Sequence, residues 1–146
     1  MTKTRRSNAE AGFTLIELMV VIVIIGLLST FVVLNVLPAQ DTAMVEKARA
    51  DVALLEQAVE MYRLDNLAYP TTEQGLAALA VRPTAEPVPQ NWKQYLKQAP
   101  ADPWGRPYQY LNPGVRGEID LFSLGADGQP AGDGVNADIG NWSLNR

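Results

Sequence analysis

The chain of 146 residues contains no cysteine and no histidine. Without cysteine there is no disulfide framework, and without either residue type there are no thiolate or imidazole ligands for zinc. For the same reason the chain has no cysteine or histidine that could act as a nucleophile or general base. A metal bound by this chain would therefore have to be a hard cation held by oxygen ligands, as calcium is.

Basic residues form no cluster beyond the first six positions, and the formal net charge is −4. Residues 1–12 carry Lys3, Arg5 and Arg6 against Glu10, a net charge of +2, and removing that +2 from the total of −4 leaves −6. A nucleic-acid-binding surface needs clustered Lys and Arg to contact phosphates. No such cluster follows Arg6, so nucleic acid is not an expected partner.

One long uncharged run extends from Leu18 to Leu37, and its polar residues are Ser29, Thr30 and Asn35. Its length of about 20 residues is what a helix needs to cross the hydrocarbon core of a bilayer. The basic residues before the run predict a cytoplasmic N-terminus, with the bulk of the chain on the opposite side of the membrane.

Three interpretations of this segment compete. The apolar region of a secretory signal peptide is shorter than this run, and Ala39 after Pro38 makes only a weak cleavage site. A plain membrane anchor fits the length but gives no reason for Glu17 at the start of the run. The third interpretation is processing between Gly12 and Phe13, ahead of the apolar run.

The stretch G-F-T-L-I-E, Gly12 to Glu17, followed by an apolar helix, resembles the processing signal of the type IV pilin and pseudopilin superfamily. This resemblance implies that a membrane enzyme, the prepilin peptidase, cuts after Gly12 on the cytoplasmic side. It also implies that the new terminal residue, Phe13, is then N-methylated. Glu17 would be the fifth residue of the mature chain.

The charge of Glu17 predicts a role for this residue in assembly. Cleavage leaves a charged amine on Phe13, and in a packed helical fibre this amine and the Glu17 carboxylate would both lie in apolar surroundings. A buried unpaired charge is costly, whereas a buried pair is tolerable. An amine near Glu17 of a neighbouring subunit would therefore favour one axial register. The other interpretation places Glu17 at headgroup depth, which its position allows before assembly.

A second periodicity follows the apolar run, and it predicts an amphipathic helix over residues 41–64. Together the two segments predict one long helix from about Thr14 to Leu64, apolar in its first half and packed on a globular head in its second. Pro38 lacks an amide donor, so a kink or local break is expected near Leu34–Pro38. The apolar stripe consists of Val45, Ala48, Val52, Leu55, Val59 and Tyr62.

After the long helix the sequence predicts one further short helix. Thr71 or Thr72 could cap a helix over Glu73–Val81. A proline-rich loop, residues 82–92, follows it. Beyond this loop, Trp92, Tyr95 and Leu96 predict a short amphipathic turn or helix that anchors on the core.

Two strands complete the predicted head. The turn at Pro103 to Gly105 leads into a strand over Tyr108–Leu111, and residues 118–124 alternate as a second strand. The turn at residues 112–117 joins them into an antiparallel hairpin. A small antiparallel sheet against the amphipathic half-helix makes the predicted fold class α+β.

Three stretches of the head, Y-P-T-T-E-Q-G-L, D-P-W-G-R-P-Y-Q-Y and S-L-G-A-D-G, resemble the major pseudopilins of type II secretion systems. The likeness runs from about Gly12 to Trp142. It implies a cleaved leader over residues 1–12, a transmembrane and filament-core helix over 13–37 and a periplasmic head over 38–146. The implied protein spans the bacterial inner membrane once before assembly.

The same resemblance implies the partners and the function. The chain would form a homopolymer through its N-terminal helices, with minor pseudopilins and an inner-membrane assembly platform as further partners. The resulting periplasmic pseudopilus would help move folded proteins through an outer-membrane secretin. The alternative is a subunit of a type IV pilus for adhesion, motility or DNA uptake, although pilin heads usually contain a disulfide.

The loop from Leu124 to residue 139 is rich in acidic residues and glycine, with Asp127, Asp133, Asn136 and Asp138 close together. Carboxylates and backbone carbonyls at short spacing are the ligands that calcium prefers, but the order is not that of an EF-hand. From composition alone, a solvated acidic loop and a calcium site both stay open.

The resemblance to major pseudopilins implies that this loop binds calcium. It implies Asp127 as a side-chain ligand, the carbonyls of Leu124 and Gln129, and Asp133 and Asp138 as further ligands. A position that is often acidic in those relatives is Gly134 in this chain.

An enzyme is the rival class of function. Paired carboxylates can perform acid–base chemistry. The acidic residues of this chain, however, lie in a glycine-rich loop or on a helix face, and no nucleophile–base set is evident. The sequence therefore predicts a structural subunit and no catalytic activity.

Overall fold

The computed structural model describes residues 12–144, without the side chains of residues 33–38. By its internal contacts the chain divides into two units, Met1–Ala39 and Gln40–Arg146. The predicted leader, residues 1–12, lies outside the described residues except for Gly12.

Helix α1 spans Leu15–Asn66, close to the predicted bounds. Thr14 starts it: the Thr14 hydroxyl accepts a hydrogen bond from the amide of Glu17 at 3.3 Å, and the Thr14 carbonyl accepts one from the amide of Leu18 at 3.2 Å. A threonine in this position satisfies an amide of the first turn that has no partner within the helix.

The local break predicted near Leu34–Pro38 is wrong, because the helical assignment continues through Pro38. A proline removes one amide donor from a helix, and the hydrogen bonds of the turns on either side can persist. A kink that leaves the helix intact stays a prediction.

In the first unit, Leu15–Val32 is a segment of 18 residues with a mean hydropathy of 2.7, and none of it is buried within the chain. By length and composition it can cross a membrane. The hydroxyls of Ser29 and Thr30 donate to the carbonyls of Ile25 and Gly26, at 2.7 Å and 3.1 Å. These two polar side chains are therefore satisfied by the helix itself.

The second unit has its own hydrophobic core, built on the predicted stripe of α1. Most of the stripe is buried, while Val45 is only half-buried. The burial confirms the amphipathic interpretation of residues 41–64. The buried members are Ala48, Val52, Leu55, Val59 and Tyr62. The rest of the core includes Leu76, Leu79, Tyr108, Tyr110, Ile119 and Leu121.

A polar contact also joins α1 to the sheet side of the core. The Tyr108 hydroxyl donates to Asp51 Oδ2 at 2.9 Å. Burial, and then the hydrogen bond to Asp51, raise the pKa of Tyr108 well above its usual value. The hydroxyl therefore remains a donor to the carboxylate.

The predicted helix over Glu73–Val81 is shorter than expected and of a different type. The Thr71 hydroxyl accepts from the Gln74 amide, and Gln74 Oε1 accepts from the Thr71 amide, both at 3.1 Å. This pair closes a turn, after which Gly75 at φ 56° precedes a 3-10 helix over Leu76–Leu79. The positive φ of Gly75 prevents the turn from continuing as an α-helix.

The segment with Trp92, Tyr95 and Leu96 contains no helix. It anchors on the core as predicted, but through the 3-10 helix. The Trp92 indole donates to the carbonyl of Ala78 at 2.7 Å. The amides of Tyr95 and Leu96 both donate to the carbonyl of Leu79, at 2.9 Å and 3.0 Å. Hydrogen bonds to the 3-10 helix thus take the place of the hydrogen bonds that a local helix would have formed.

The sheet has three antiparallel strands in the order β1–β2–β3, at Gln109–Leu111, Asp120–Ser123 and Ile139–Gly140. The pairing of β1 with β2, Tyr110 opposite Leu121, confirms the predicted hairpin and the α+β class. Strand β3 was not predicted.

Strand β2 begins later than predicted because of Asp120. Its buried carboxylate accepts hydrogen bonds from the amides of Val115, Arg116 and Gly117. These bonds hold residues 115–117 in the turn that precedes the strand.

Truncation of the buried stripe is expected to destabilise the second unit. Leu55→Ala should lower the free energy of unfolding by about 2–5 kcal/mol, because it leaves a cavity in the core. Leu54→Ala is the matched control, since Leu54 is 55% exposed. Urea denaturation of the detergent-solubilised chain, followed by tryptophan fluorescence, measures both variants. Equal effects of the two substitutions would contradict the assignment of the core face.

Candidate functional site

The predicted processing step lies directly before helix α1. The Phe13 side chain is 84% exposed. Gly12 has no described atom within 4 Å of the position that an added Cβ would take. Packing within the described residues therefore does not require glycine at position 12, and a recognition event outside the fold would explain it better.

Glu17 lies in the first turn of α1 and is exposed. The backbone amide of Glu17 donates a hydrogen bond to the Thr14 hydroxyl. The Glu17 carboxylate lies in the first turn, where a negative charge interacts favourably with the helix dipole. Within residues 12–144, no Lys or Arg forms an ion pair with Glu17. A partner for its charge must therefore come from outside the described residues, such as solvent, headgroups, a free N-terminus or another copy.

The apolar side chains that follow Glu17 are exposed around the whole circumference of the helix. Leu18 is 55% exposed, Met19 63%, Val20 50% and Val21 47%. A helix that is apolar on every face is stable only when lipid or other protein surrounds it. The segment Leu15–Val32 has this property without interruption.

The acidic loop, residues 124–139, joins β2 to β3. It is closed across its middle by a hydrogen bond from the Ala126 amide to the Val135 carbonyl at 2.8 Å. Asp127 Oδ1 accepts from the Gln129 amide at 3.0 Å, and Asp138 Oδ2 accepts from the Ala131 amide at 3.0 Å. Both carboxylates thereby shape the loop backbone.

The other oxygen of Asp138, Oδ1, is buried and has no hydrogen-bond partner among the described residues. Buried carboxylate oxygens normally have a donor or a cation beside them. Asp138 and Leu124 line one surface cleft, together with Phe122, Pro130 and Trp142. This cleft brings together two of the five predicted ligands.

The remaining predicted ligands lie elsewhere in the loop. Asp127, Gln129 and Asp133 are exposed. Asp133 precedes a 3-10 helix over Gly134–Asn136, and its side chain makes no capping hydrogen bond there. Within the described residues no three acidic side chains form a ready metal-binding group. The set fits a hard cation only if backbone carbonyls complete it.

The arginine that contacts this loop, Arg106, was not among the predicted site residues. The Arg106 guanidinium donates to the carbonyl of Gly125, and to that of Ala126 at 3.3 Å. Asp102 is buried beside it and accepts from the Ser123 hydroxyl at 2.7 Å. The signal was present in D-P-W-G-R-P, but a turn pattern does not indicate which distant backbone its side chains reach.

Comparison with known proteins connects these features. The family model described as "Type II secretion system (T2SS), protein G" matches residues 35–142. The family model described as "Prokaryotic N-terminal methylation motif" matches residues 7–33, which include Gly12, Phe13 and Glu17.

Two curated proteins, both named "Type II secretion system core protein G", are similar along almost the whole chain. One, from Vibrio cholerae, is 52% identical over 142 residues, which is 96% of this chain and 97% of that protein. The other, from Pseudomonas aeruginosa, is 54% identical over 135 residues, which is 91% of this chain and 95% of that protein.

A solved structure is similar as well. It is described as the major pseudopilin from the type 2 secretion system of enterohaemorrhagic Escherichia coli. The likeness has a TM-score of 0.67 at 49% sequence identity, and it covers 75% of this chain and 92% of that chain.

Proposed function

Because the chain belongs to the type II secretion system protein G family, we propose that it is the precursor of a structural pseudopilus subunit. The pseudopilus is a periplasmic fibre that helps move folded proteins across the outer membrane. The observation that carries this proposal is an exposed apolar helix, Leu15–Val32, preceded by the matched N-terminal methylation motif.

Processing prepares the chain for assembly. Prepilin peptidase cuts between Gly12 and Phe13, and the amine of Phe13 is methylated. The open space around Gly12 supports this step, since the described fold does not require a glycine there. Before assembly, the chain spans the inner membrane once, with its N-terminus in the cytoplasm and its head in the periplasm.

Assembly buries the apolar helices against one another. The charged amine of Phe13 then pairs with the Glu17 carboxylate of a neighbouring copy, because each charge alone would be costly in such a core. The pairing sets the axial register of the fibre. Support comes from Glu17 itself, which has no ion-pair partner among the described residues.

The machinery around the fibre follows from the same assignment. An inner-membrane assembly platform adds subunits, minor pseudopilins join the homopolymer, and the outer-membrane secretin receives the cargo. The subunit itself catalyses no reaction in this scheme. Its action is mechanical, which agrees with a sequence that has neither cysteine nor histidine.

The acidic loop binds calcium in this proposal. Asp127, Asp133 and Asp138 supply carboxylates, and Leu124 and Gln129 supply carbonyl oxygens. The Oδ1 of Asp138 supports the assignment, because a cation would satisfy a buried oxygen that no donor of residues 12–144 reaches. Bound calcium would offset the repulsion among the carboxylates and stabilise the loop.

Removal of the Glu17 charge is expected to impair assembly and leave processing intact. Glu17→Gln keeps the size of the side chain and the hydrogen bond from its backbone amide to the Thr14 hydroxyl, but it leaves the neighbouring amine unpaired. Fibre yield should fall by about tenfold or more, given the penalty for an uncompensated buried charge. Electron microscopy of overexpressing cells measures fibres, and the mass of the membrane-bound chain measures cleavage.

Glu73→Gln is the matched control, because it removes the same charge from an exposed position in the head. It should leave the number of fibres unchanged. Fibres of normal number and length from the Glu17→Gln variant would contradict the pairing.

Calcium is expected to raise the melting temperature of the detergent-solubilised chain by several degrees, and EDTA should reverse the shift. Ligand binding to the folded state stabilises it by about 2.7 kcal/mol when the free ligand is a hundredfold above Kd. Asp138→Asn should abolish most of the shift. Asp41→Asn, at an exposed position of α1, should retain it.

Magnesium at equal concentration is the ionic-strength control, and scanning calorimetry is the measurement. A melting temperature that is the same in calcium and in EDTA would refute the calcium site.

A further inference from the structure

Arg106 reaches from one turn of the head into the start of the acidic loop. Its guanidinium donates to the carbonyls of Gly125 and Ala126, directly before Asp127. Gly125 is buried, so its carbonyl requires a donor within the protein. The side chain of Arg106 supplies this donor from about twenty residues earlier in the chain.

The backbone that carries Arg106 is held by Asp102. Asp102 Oδ1 accepts from the amides of Trp104 and Arg106, at 3.1 Å and 2.8 Å. Asp102 Oδ2 accepts from the Ser123 hydroxyl at 2.7 Å, and that hydroxyl accepts from the Gly125 amide at 3.3 Å. The turn and the loop are therefore tied at two points, by Arg106 and by Ser123.

The acidic loop also packs directly on the guanidinium. A Cβ added to Gly128 would lie 2.7 Å from Arg106 Nη1, and Gly128 has a φ of +69°. Only a glycine lets the backbone approach a side chain so closely in this conformation. Gly128 lies beside Asp127 and Gln129, two of the proposed calcium ligands.

Asp102 also offsets the charge of Arg106, since Arg106 Nε lies 3.8 Å from Asp102 Oδ2. The Asp102 side chain is 1% exposed and the Arg106 side chain 37% exposed, so water screens this pair from the arginine side only. The net charge that the pair presents to the loop is therefore small. The guanidinium can order the loop without strongly repelling a cation.

We infer that Arg106 is a positioning residue that holds the acidic loop in its folded conformation before any metal binds. Its consequence for calcium rests on the proposed calcium site. A loop that is already ordered loses less conformational freedom when it binds a cation, so the cation binds more tightly. Residues that do not bind the metal themselves but hold its ligands in place commonly change the affinity of the site for the metal by about 10–100-fold.

The first test measures loop order without calcium. Arg106→Gln removes the charge and the several N–H donors of the guanidinium. Arg106→Lys keeps the charge but loses the planar arrangement of these donors. In the full chain, extracted in detergent and stripped with EDTA, amide hydrogen exchange of residues 124–139 should be about tenfold faster in both variants. Arg82→Gln is the matched control, because Arg82 donates to the Pro89 carbonyl in a different loop.

The second test measures calcium binding by titration calorimetry on the same proteins. Both Arg106 variants should bind calcium about tenfold more weakly than the unmodified chain, and Arg82→Gln should bind it normally. If the dominant effect of Arg106 were repulsion of the cation, Arg106→Gln would bind calcium more tightly.

Hydrogen exchange and calcium titration together distinguish a failure of the Arg106 role from a failure of the calcium site. Unchanged exchange of residues 124–139 in Arg106→Gln, or tighter calcium binding by that variant, would overturn the role of Arg106. If the unmodified chain bound no calcium, the metal site would fail, and hydrogen exchange alone would decide whether Arg106 orders the loop.

Discussion

The exposed apolar helix Leu15–Val32 sets the constraint that the other features of the chain must meet. At a mean hydropathy of 2.7 and with none of it buried within the chain, it is stable only against lipid or against other helices. A pseudopilus subunit uses both surroundings in turn, first the bilayer and then the fibre. In the proposed fibre Glu17 would need a counter-charge, whereas in the bilayer its charge could face the headgroups.

The head depends on buried carboxylates as much as on its apolar core. Asp120 accepts hydrogen bonds from three backbone amides of the turn before β2. Asp102 accepts hydrogen bonds from two backbone amides and from the Ser123 hydroxyl. A buried carboxylate is tolerable when several donors surround it, and it then specifies one loop conformation. Arg106 extends this arrangement to the acidic loop by donating to the carbonyls of Gly125 and Ala126.

The sequence predicted those features that depend on periodicity or on a local motif. The spacing of the stripe through Val52 and Leu55 predicted the buried face of α1, and the alternation in residues 118–124 predicted the hairpin strand. The residues around Gly12 predicted the N-terminal methylation motif that the comparisons found. These signals are local, since neighbouring residues alone decide them.

The missed features depend on contacts between distant residues. Strand β3 is two residues long and forms only because β2 offers it an edge. Gly75, at φ 56°, follows a turn and precedes a 3-10 helix of only four residues, where the residue pattern alone favoured a longer α-helix. The carbonyl partners of Arg106 lie in another loop, so the motif D-P-W-G-R-P showed a turn without showing what its arginine would hold.

Processing between Gly12 and Phe13 can be tested by the intact mass and N-terminal sequence of the chain isolated from native membranes. We expect a chain that begins at Phe13 and is one methyl group heavier than its sequence. Such a result would establish the free, modified amine on which the pairing with Glu17 depends. A chain that begins at Met1, or one that begins beyond Pro38, would contradict the account, because neither carries an amine at the start of the apolar helix.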